Sequence, residues 1–277
     1  VLACFAMGYN MAFGYTGLLS LGHAMFFAAG LYGAGLSAQF LDIAGAGGFA
    51  IGIAVAIGLV LTLGAIALRT AGVSFMIVTL MFAQGVFLII YYFGEFTRGD
   101  EGFVVPEAMR TLFGLALNEP TMRYFTALAL FALCLLGSFA LARSNLGRVL
   151  VAIRENEDRA RMLGYDVTRL KLAALLISGI MAGAAGAAYG LLFGYVGATF
   201  ASIEYSILPL LWVLVGGAGT VLGPFLGTLL MFYLIDVTSG ITTAYLMVVG
   251  LALIALILFF PKGILGSIRE RWAPWLP

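Results

Sequence analysis

The stretch RSNLGRVLVAIRENEDRARMLGYDVTRLK, Arg143 to Lys171, decides how the rest of the chain reads. It is the one long, charged, helix-patterned segment among apolar runs and short turns. Arg143, Arg148, Arg154, Arg159, Arg161, Arg169 and Lys171 are seven of the chain's 14 basic residues, set against Glu155, Glu157, Asp158 and Asp166. The net charge of this stretch is +3 over 29 residues. Short loops with an excess of Lys and Arg stay on the cytoplasmic side, so both flanks are oriented by it.

Val149, Ile153, Ala160 and Leu163 recur at helical spacing as a narrow apolar stripe. Glu155 with Arg159, and Glu157 with Arg161, lie four apart with the acid first, the better order for a helical ion pair. Gly164 reads as the helix stop, and Asp166 or Thr168 as the cap of the next helix. The segment is thus expected to be one short amphipathic helix across the cytoplasmic mouth. Its plainest reading is a solvated connector. The sharper one is a docking helix, because a stripe on a short helix with no soluble domain beside it needs a partner to cover it. Arg154 and Glu155 flank the stripe and are the expected direct contacts.

Composition sets the class. The chain has 277 residues, 63% hydrophobic and 10% charged, with mean hydropathy +1.10; a soluble domain is about 25% charged. The expected fold is all-α, a polytopic helical membrane protein with discontinuous or re-entrant helices. Glycine, 37 residues, is enriched, which allows close helix contact and broken helices. The net charge of +1 carries no signal for nucleic acid, and no such partner is expected. Cys4 and Cys134 fall in separate apolar runs and suggest neither a disulfide framework nor a metal site. The chain opens on Val1 already inside an apolar run: either valine is read as the start, or the numbering begins within a longer protein.

In chain order, Val1 to Phe13 is apolar, interrupted by Gly8 and Asn10, and short for a span. Gly14, Gly17 and Gly22, with Ser20 and His23, break the next run, which protein or a water-lined cavity must surround. A helix is expected from Ala24 to Phe40, a turn at Asp42 and the Gly45–Gly48 cluster, and a span from Phe49 to Leu68. Thr70 to Phe93 returns outward with Thr79 and Gln84 at mid-span. Glu95 to Arg123 is the long external loop, net −2, with Tyr91, Tyr92 and Tyr124 as interface anchors. Tyr124 to Ala142 runs in, and Leu172 to Tyr195 runs out with a ridge at Gly179, Gly183, Gly186 and Gly190. The tail, with Lys262, Arg269 and Arg271 against Glu270, reads as inside. Glu204 to Asp236 must then begin and end outside, with both acids near the outer surface. Broken at GGAGTVLGP (Gly216–Pro224), it is expected to be a re-entrant pair meeting near the midplane: Ser206–Val215 down, Val221–Ile235 up. A mis-sided charged end is the alternative. The Gly17–Gly22 and Gly219–Gly223 breaks, each ahead of an apolar helix, form a faint internal echo.

Four motifs, in order, carry a resemblance over nearly the whole chain. They are GYTGLLSLGHAMFFAAGLYGAG (Gly14–Gly35), AIRENEDRARMLGYDVTRLKLAALLISGIMAGAAGAAYG (Ala152–Gly190), LVGGAGTVLGPFLG (Leu214–Gly227) and FPKGILG (Phe260–Gly266). Together they resemble the LivM/LivH-type permease subunits of branched-chain amino acid ABC importers, the second motif the LivM branch. The family pattern has one or two further spans ahead of Val1. The resemblance implies a single transmembrane permease domain: an N-terminal helix group over 1–142, a cytoplasmic coupling loop over 143–171, a C-terminal helix group over 172–260 and a cytoplasmic tail over 261–277. It implies a bacterial or archaeal cytoplasmic (inner) membrane, with lipid around the spans. The implied partners are a second, paralogous permease subunit, two cytoplasmic ATP-binding subunits and an external solute-binding protein.

It further implies that Ala152 to Gly164 docks into the ATPase, the expected coupling residues being Ile153, Arg154, Glu155, Asn156, Glu157, Arg159, Ala160, Leu163 and Gly164. Glu157 pairs either with an ATPase arginine or with Arg161. The expected translocation path takes in Thr16, Gly17, Ser20, Gly22, His23, Thr79, Gln84, Gly216, Gly217 and Gly219. His23 has either a pH or substrate role or, more plainly, a hydrogen bond to a backbone carbonyl freed at the break. No metal ligands accompany it. No GxxxxGK[ST] loop and no catalytic constellation are present, so no cofactor is expected on this chain; ATP and magnesium belong to the partner ATPases. Four functions remain: a permease subunit for branched-chain or related amino acids; the same architecture for urea, short amides or another polar solute; a stand-alone secondary transporter, which would want an intramembrane coupling acid or arginine that the confident spans lack; and a pathless structural subunit, which the broken helices disfavour.

Overall fold

The computed structural model describes residues 1–43, 45–112 and 115–271; the last six residues of the expected tail, 272–277, lie outside them. Helix α1 (Leu2–Asn10) continues as a π turn, Met11–Tyr15. An extended passage then leads to α2 (Ala24–Phe40), followed by α3 (Gly45–Ala67, with a π turn at Val60–Gly64) and α4 (Val73–Tyr92). An outer strap follows, with β1 (Phe103–Val104), β2 (Thr111–Leu112) and β3 (Leu115–Ala116). Next come α5 (Pro120–Arg143), α6 (Asn145–Glu155), α7 (Glu157–Met162) and α8 (Val167–Phe193). After β4 (Tyr195–Val196) the chain forms α9 (Ile203–Gly216), α10 (Gly223–Ile241), α11 (Tyr245–Phe259) and α12 (Gly263–Arg271). Among the described residues five helices, α3, α4, α5, α8 and α10, are long and apolar enough to cross a membrane. The fold is an all-α, multi-pass membrane bundle.

The core is built on α1 and α8. Phe5, Met7, Tyr9 and Met11 have no exposed surface. The opening run is therefore short but central, and its all-round apolarity fits burial on every face. Helix α8 is the pillar, with 61% of its apolar window buried against 11% for α5. Its glycine ridge works as the spacing implied. A Cβ on Gly186 would collide with the Phe27 carbonyl, and one on Gly30 of α2 with the Gly183 carbonyl. Without side chains, the backbones of α2 and α8 approach closely enough for dispersion contacts and weak Cα–H···O bonds.

The Gly45–Gly48 cluster is not a turn. The turn is Leu41–Ile43, with Asp42 at φ 51°, and the glycines open α3. The reason is packing: a Cβ on Gly48 would lie 3.1 Å from Ser37 Oγ, and one on Gly52 only 2.5 Å from the Gly30 carbonyl oxygen. Cys4 on α1 and Cys134 on α5 are free, buried thiols.

At the outer end the strap is latched to α8. β1 pairs antiparallel with β4, Phe103 opposite Val196, and Val105 N–H donates to Gly194 O at 2.7 Å. Arg110 is buried and donates through Nε to Leu191 O at 2.8 Å and through Nη2 to Leu192 O at 2.5 Å. These carbonyls are left without partners by the end of α8, and a cation there also meets the negative end of the helix dipole. Burial, then the neighbouring Arg123, draw the Arg110 pKa below its ordinary value, while Glu107 opposes the shift. Nothing in the sequence pattern had distinguished Arg110 from the other charges of the loop.

The α9–α10 pair differs from the expected re-entrant geometry. Its turn packs on the tail helix, where a Cβ on Gly217 would lie 2.8 Å from Gly266 N, and on the charged segment through Arg154. The turn therefore lies at the basic end, beside the charged segment and the tail helix, rather than in the middle of the bundle. The physical reason is that packing; of the pair only α10, 19 residues or about 28 Å at the helical rise, is long enough to cross, while α9 has 14, about 21 Å. The discontinuity lies instead between α1 and α2.

Two glycines separate packing from propensity. Gly186→Ala is expected to destabilise the protein by about 3 kcal/mol, since the added carbon overlaps a backbone carbonyl. Gly58→Ala, with nothing within 4 Å of the added carbon, is expected to stabilise by about 0.5–1 kcal/mol through helix propensity. Unfolding midpoints in one detergent check the opposite signs.

Candidate functional site: the charged segment and the helix breaks

The charged segment is two helices, not one. Ser144 Oγ accepts from Gly147 N–H at 3.1 Å and starts α6. At Asn156 the backbone becomes extended (φ −160°, ψ 104°), and its side chain accepts from Arg159 N–H at 2.9 Å to start α7. The N-cap pattern Asn-Glu-Asp carried this signal, but the charge spacing across it had read as one helix. The break removes the four-residue register between Glu155 and Arg159, and Glu155 pairs with Arg154 at 2.9 Å instead. Glu157–Arg161 forms as spaced, at 2.6 Å, and Glu157 also binds Lys171 at 2.5 Å, clamping α7 to α8. Gly164, at φ 89°, ends the helix, and Asp166 caps α8 through Arg169 N–H at 3.1 Å.

The expected apolar stripe divides. Ile153 and Ala160 are buried with Val167, and Val149 packs on them, so the chain itself covers that part. Leu163 is 72% exposed, and Met162 beside it 80%. Tyr165 is exposed with them. The bare apolar surface is thus the tip of α7, of which only Leu163 was singled out in the sequence. Glu155, Asn156 and Arg159 are exposed, while Arg154 turns inward to the Gly14 carbonyl.

The passage from Thr16 to His23 is held residue by residue. Thr16 Oγ1 donates to Met11 O at 3.0 Å, and Leu18 N–H to Ala12 O at 2.9 Å. Tyr9 Oη donates to Ser20 O at 3.0 Å, and Leu21 N–H to Thr79 Oγ1 at 3.2 Å. Gly22 N–H reaches Ser20 Oγ at 3.3 Å, and Ala24 N–H reaches Ser206 Oγ on α9 at 3.0 Å. Gly17 takes φ 74°, and Gly22 lies against the Thr79 carbonyl, where a Cβ would not fit. Ser20, Thr79 and His23 are buried in this scaffold.

His23 does not bind a freed carbonyl. Its Nε2 lies 2.7 Å from Ser178 Oγ, whose proton goes to Gly8 O. A serine hydroxyl has one proton, so His23 donates from Nε2 in this arrangement. The packing of α8 against the break brings the Ser178 hydroxyl to the ring. Phe5, Tyr9 and Phe26 surround the ring.

Two cavities lie at opposite ends. One of about 400 Å³ at the basic end is lined by Thr16, Gly17, Thr70, Arg154, Glu157 and Lys171. The other, about 310 Å³, is lined by Gln84, Asp100, Ser202 and Glu204 at the strap end. Gln84 is thus apart from the other polar residues of the expected path. Gly216 and Gly219 lie in the α9–α10 turn, Gly216 against the Gly223 carbonyl and Gly219 against Arg154. Gly217 bears on the tail helix. Asn10, Ser178 and Ser206, each buried and bonded to a distant part of the chain, were not marked by sequence spacing. Among the described residues no three His, Cys, Asp or Glu side chains gather as a metal site.

A glycine-packed bundle, a polar-pinned break between its first helices and a charged helical segment at its basic end define an integral membrane protein of permease architecture. The chain belongs to the family described as branched-chain amino acid transport system permease component, whose profile matches residues 1–258. It is a multi-pass protein of the cytoplasmic (inner) membrane. High-affinity branched-chain amino acid transport system permease protein LivM of Salmonella typhimurium is 28% identical, over 96% of this chain and 68% of its own length. The corresponding LivH protein of Escherichia coli K12 is 24% identical, over 95% and 91%. Autoinducer 2 import system permease protein LsrC of Klebsiella pneumoniae is 28% identical, over 58% and 46%. No solved structure is significantly similar.

Ser178→Ala removes the hydroxyl shared by His23 and Gly8 and leaves both buried groups without it. A loss of about 2 kcal/mol is expected. Chemical unfolding of the purified protein in detergent measures it, with Ser239→Ala, at an exposed hydroxyl bonded only within its own helix, as the near-neutral control.

Proposed function

We propose that this chain is the permease subunit of an ABC importer that moves branched-chain or related small amino acids inward. The observation that carries the reading is the family match over residues 1–258, together with an apolar patch, Met162, Leu163 and Tyr165, bare at the basic end. An apolar patch rimmed by charge, here Glu155, Asp158 and Arg159, is suited to a protein partner. The partner is a cytoplasmic ATP-binding subunit, two per complex, which hold ATP and magnesium; this chain binds no cofactor. A second, paralogous permease subunit and an external solute-binding protein complete the assembly, supported by the LivM and LivH relatives.

Transport runs by alternating access. ATP binding in the partner moves α6 and α7, the two permease subunits rock, and solute passes between them from outside to inside. The broken α1–α2 passage and the α9–α10 turn bring irregular backbone to the basic end, where the cavity beside Thr16, Gly17 and Arg154 opens. The LsrC relative, named for autoinducer 2 import, supports a second reading, the same assembly carrying urea, a short amide or another small polar solute.

The test is ATP turnover by the reconstituted complex with leucine-loaded or urea-loaded binding protein. Stimulation by the leucine-loaded protein is expected, and Leu163→Asp or Met162→Asp is expected to lose both stimulation and co-purification of the ATP-binding subunits. Stimulation by the urea-loaded protein replaces the solute and keeps the assembly. Transport with no ATPase partner bound overturns the reading in favour of a secondary transporter.

A further inference from the structure

We infer that Arg154 is an internal strut that carries movement of the charged segment to both glycine turns, with Asn10 as its second link. Three contacts converge on this side chain. Its Nη1 donates to the Gly14 carbonyl, in the last turn of the π-extended first helix. Its stem passes over Gly17, where a Cβ would lie 3.0 Å from Arg154 Cγ. Its guanidinium lies against Gly219, where a Cβ would lie 2.9 Å from Nη1. Its remaining ion pair, Nη2 with Glu155 Oε1 at 2.9 Å, is with its own neighbour.

Asn10 closes the circuit. Its Nδ2 donates to Thr220 O and its Oδ1 accepts from Gly219 N–H, both at 2.9 Å. One amide thus grips the α9–α10 turn from the end of α1, directly beside Gly14. The charged segment, the end of α1 and the α9–α10 turn are therefore linked by side-chain bonds as well as by the covalent chain. An arginine suits the role because its planar fork holds several donors in fixed geometry. It also meets the carbonyl end of a helix, where positive charge is favoured. Gly17 and Gly219 are the residues that let it lie there, and Gly14 lets Asn10 and the α9–α10 turn close up beside it.

The inference rests on the transporter reading and deepens it. Arg154 is a positioning residue: it acts through the turns it joins. A docking contact and a strut differ in what fails when the side chain is lost. Loss of a docking contact releases the ATP-binding subunits. Loss of a strut leaves them bound and hydrolysing but wastes the stroke.

The experiment uses the whole complex in liposomes and measures three quantities: co-purified ATP-binding subunits, ATP turnover and solute uptake per ATP. Arg154→Gln is expected to leave the first two near those of the parent and to lower uptake per ATP about tenfold, within the usual range of coupling between sites. Asn10→Ala, at a fully buried position that no partner reaches, is expected to do the same. The double variant is expected to be little worse than either single one, as for two links of one chain. Release of the ATP-binding subunits by Arg154→Gln overturns the strut in favour of a docking contact. Uptake per ATP equal to that of the parent overturns it in favour of a simple helix cap. If Arg154→Gln does not accumulate, Gly219→Ala presses on the same contact from the other side, and unchanged coupling there overturns the strut. If the parent chain itself binds no ATP-binding subunit, the transporter reading fails, a result distinct from all of these.

Discussion

Backbone that leaves the helix inside a membrane must find its hydrogen bonds in the protein, because lipid offers none. The passage from Thr16 to His23 is where this chain meets that constraint. Tyr9, Ser20, Thr79 and Ser206 supply bonds to it from α1, the passage itself, α4 and α9. The break therefore fixes how those helices stand relative to each other. Removing it would leave the same spans with no reason to converge on one place. Polar residues that look like path-lining groups in the sequence turn out to be engaged in this bracing.

The second constraint is distance. Apolar side chains gain little by leaving lipid for a helix interface, so close backbone approach has to supply the attraction. Gly30, Gly52, Gly183 and Gly186 supply it between α2, α3 and α8. The outer strap then closes the far end of α8 through Arg110, which answers two carbonyls that the helix leaves unpaired. At the near end Glu157 and Lys171 hold α7 on α8. The pillar is thus secured at both ends by charged side chains and along its length by glycine.

The basic end differs from the rest of the bundle in its surface. The α7 tip is bare apolar surface, and the charged side chains around it face solvent. Arg154 alone among the segment's exposed cations turns its head toward the helix breaks. The segment's own small core, Ile153, Ala160 and Val167, packs it onto the start of α8.

The class and much of the helix order were legible in the sequence alone, because hydropathy and glycine spacing are local properties that a membrane reads one segment at a time. The two breaks were legible too, as glycine clusters in apolar runs, and the ordered motifs carried the family. Tertiary structure decided the rest. Whether the Gly45–Gly48 cluster bends the chain or packs it depends on Ser37 and Gly30 across the interface. How far the α9–α10 turn reaches depends on what stands beneath it. Which part of the Val149–Leu163 stripe stays bare depends on where α8 begins. That His23 meets Ser178, and that Asn10 meets Gly219 beside Arg154, are pairings between residues far apart along the chain, 155 residues for the first and 209 for the second. No periodicity encodes such pairings, since they exist only once the helices have packed.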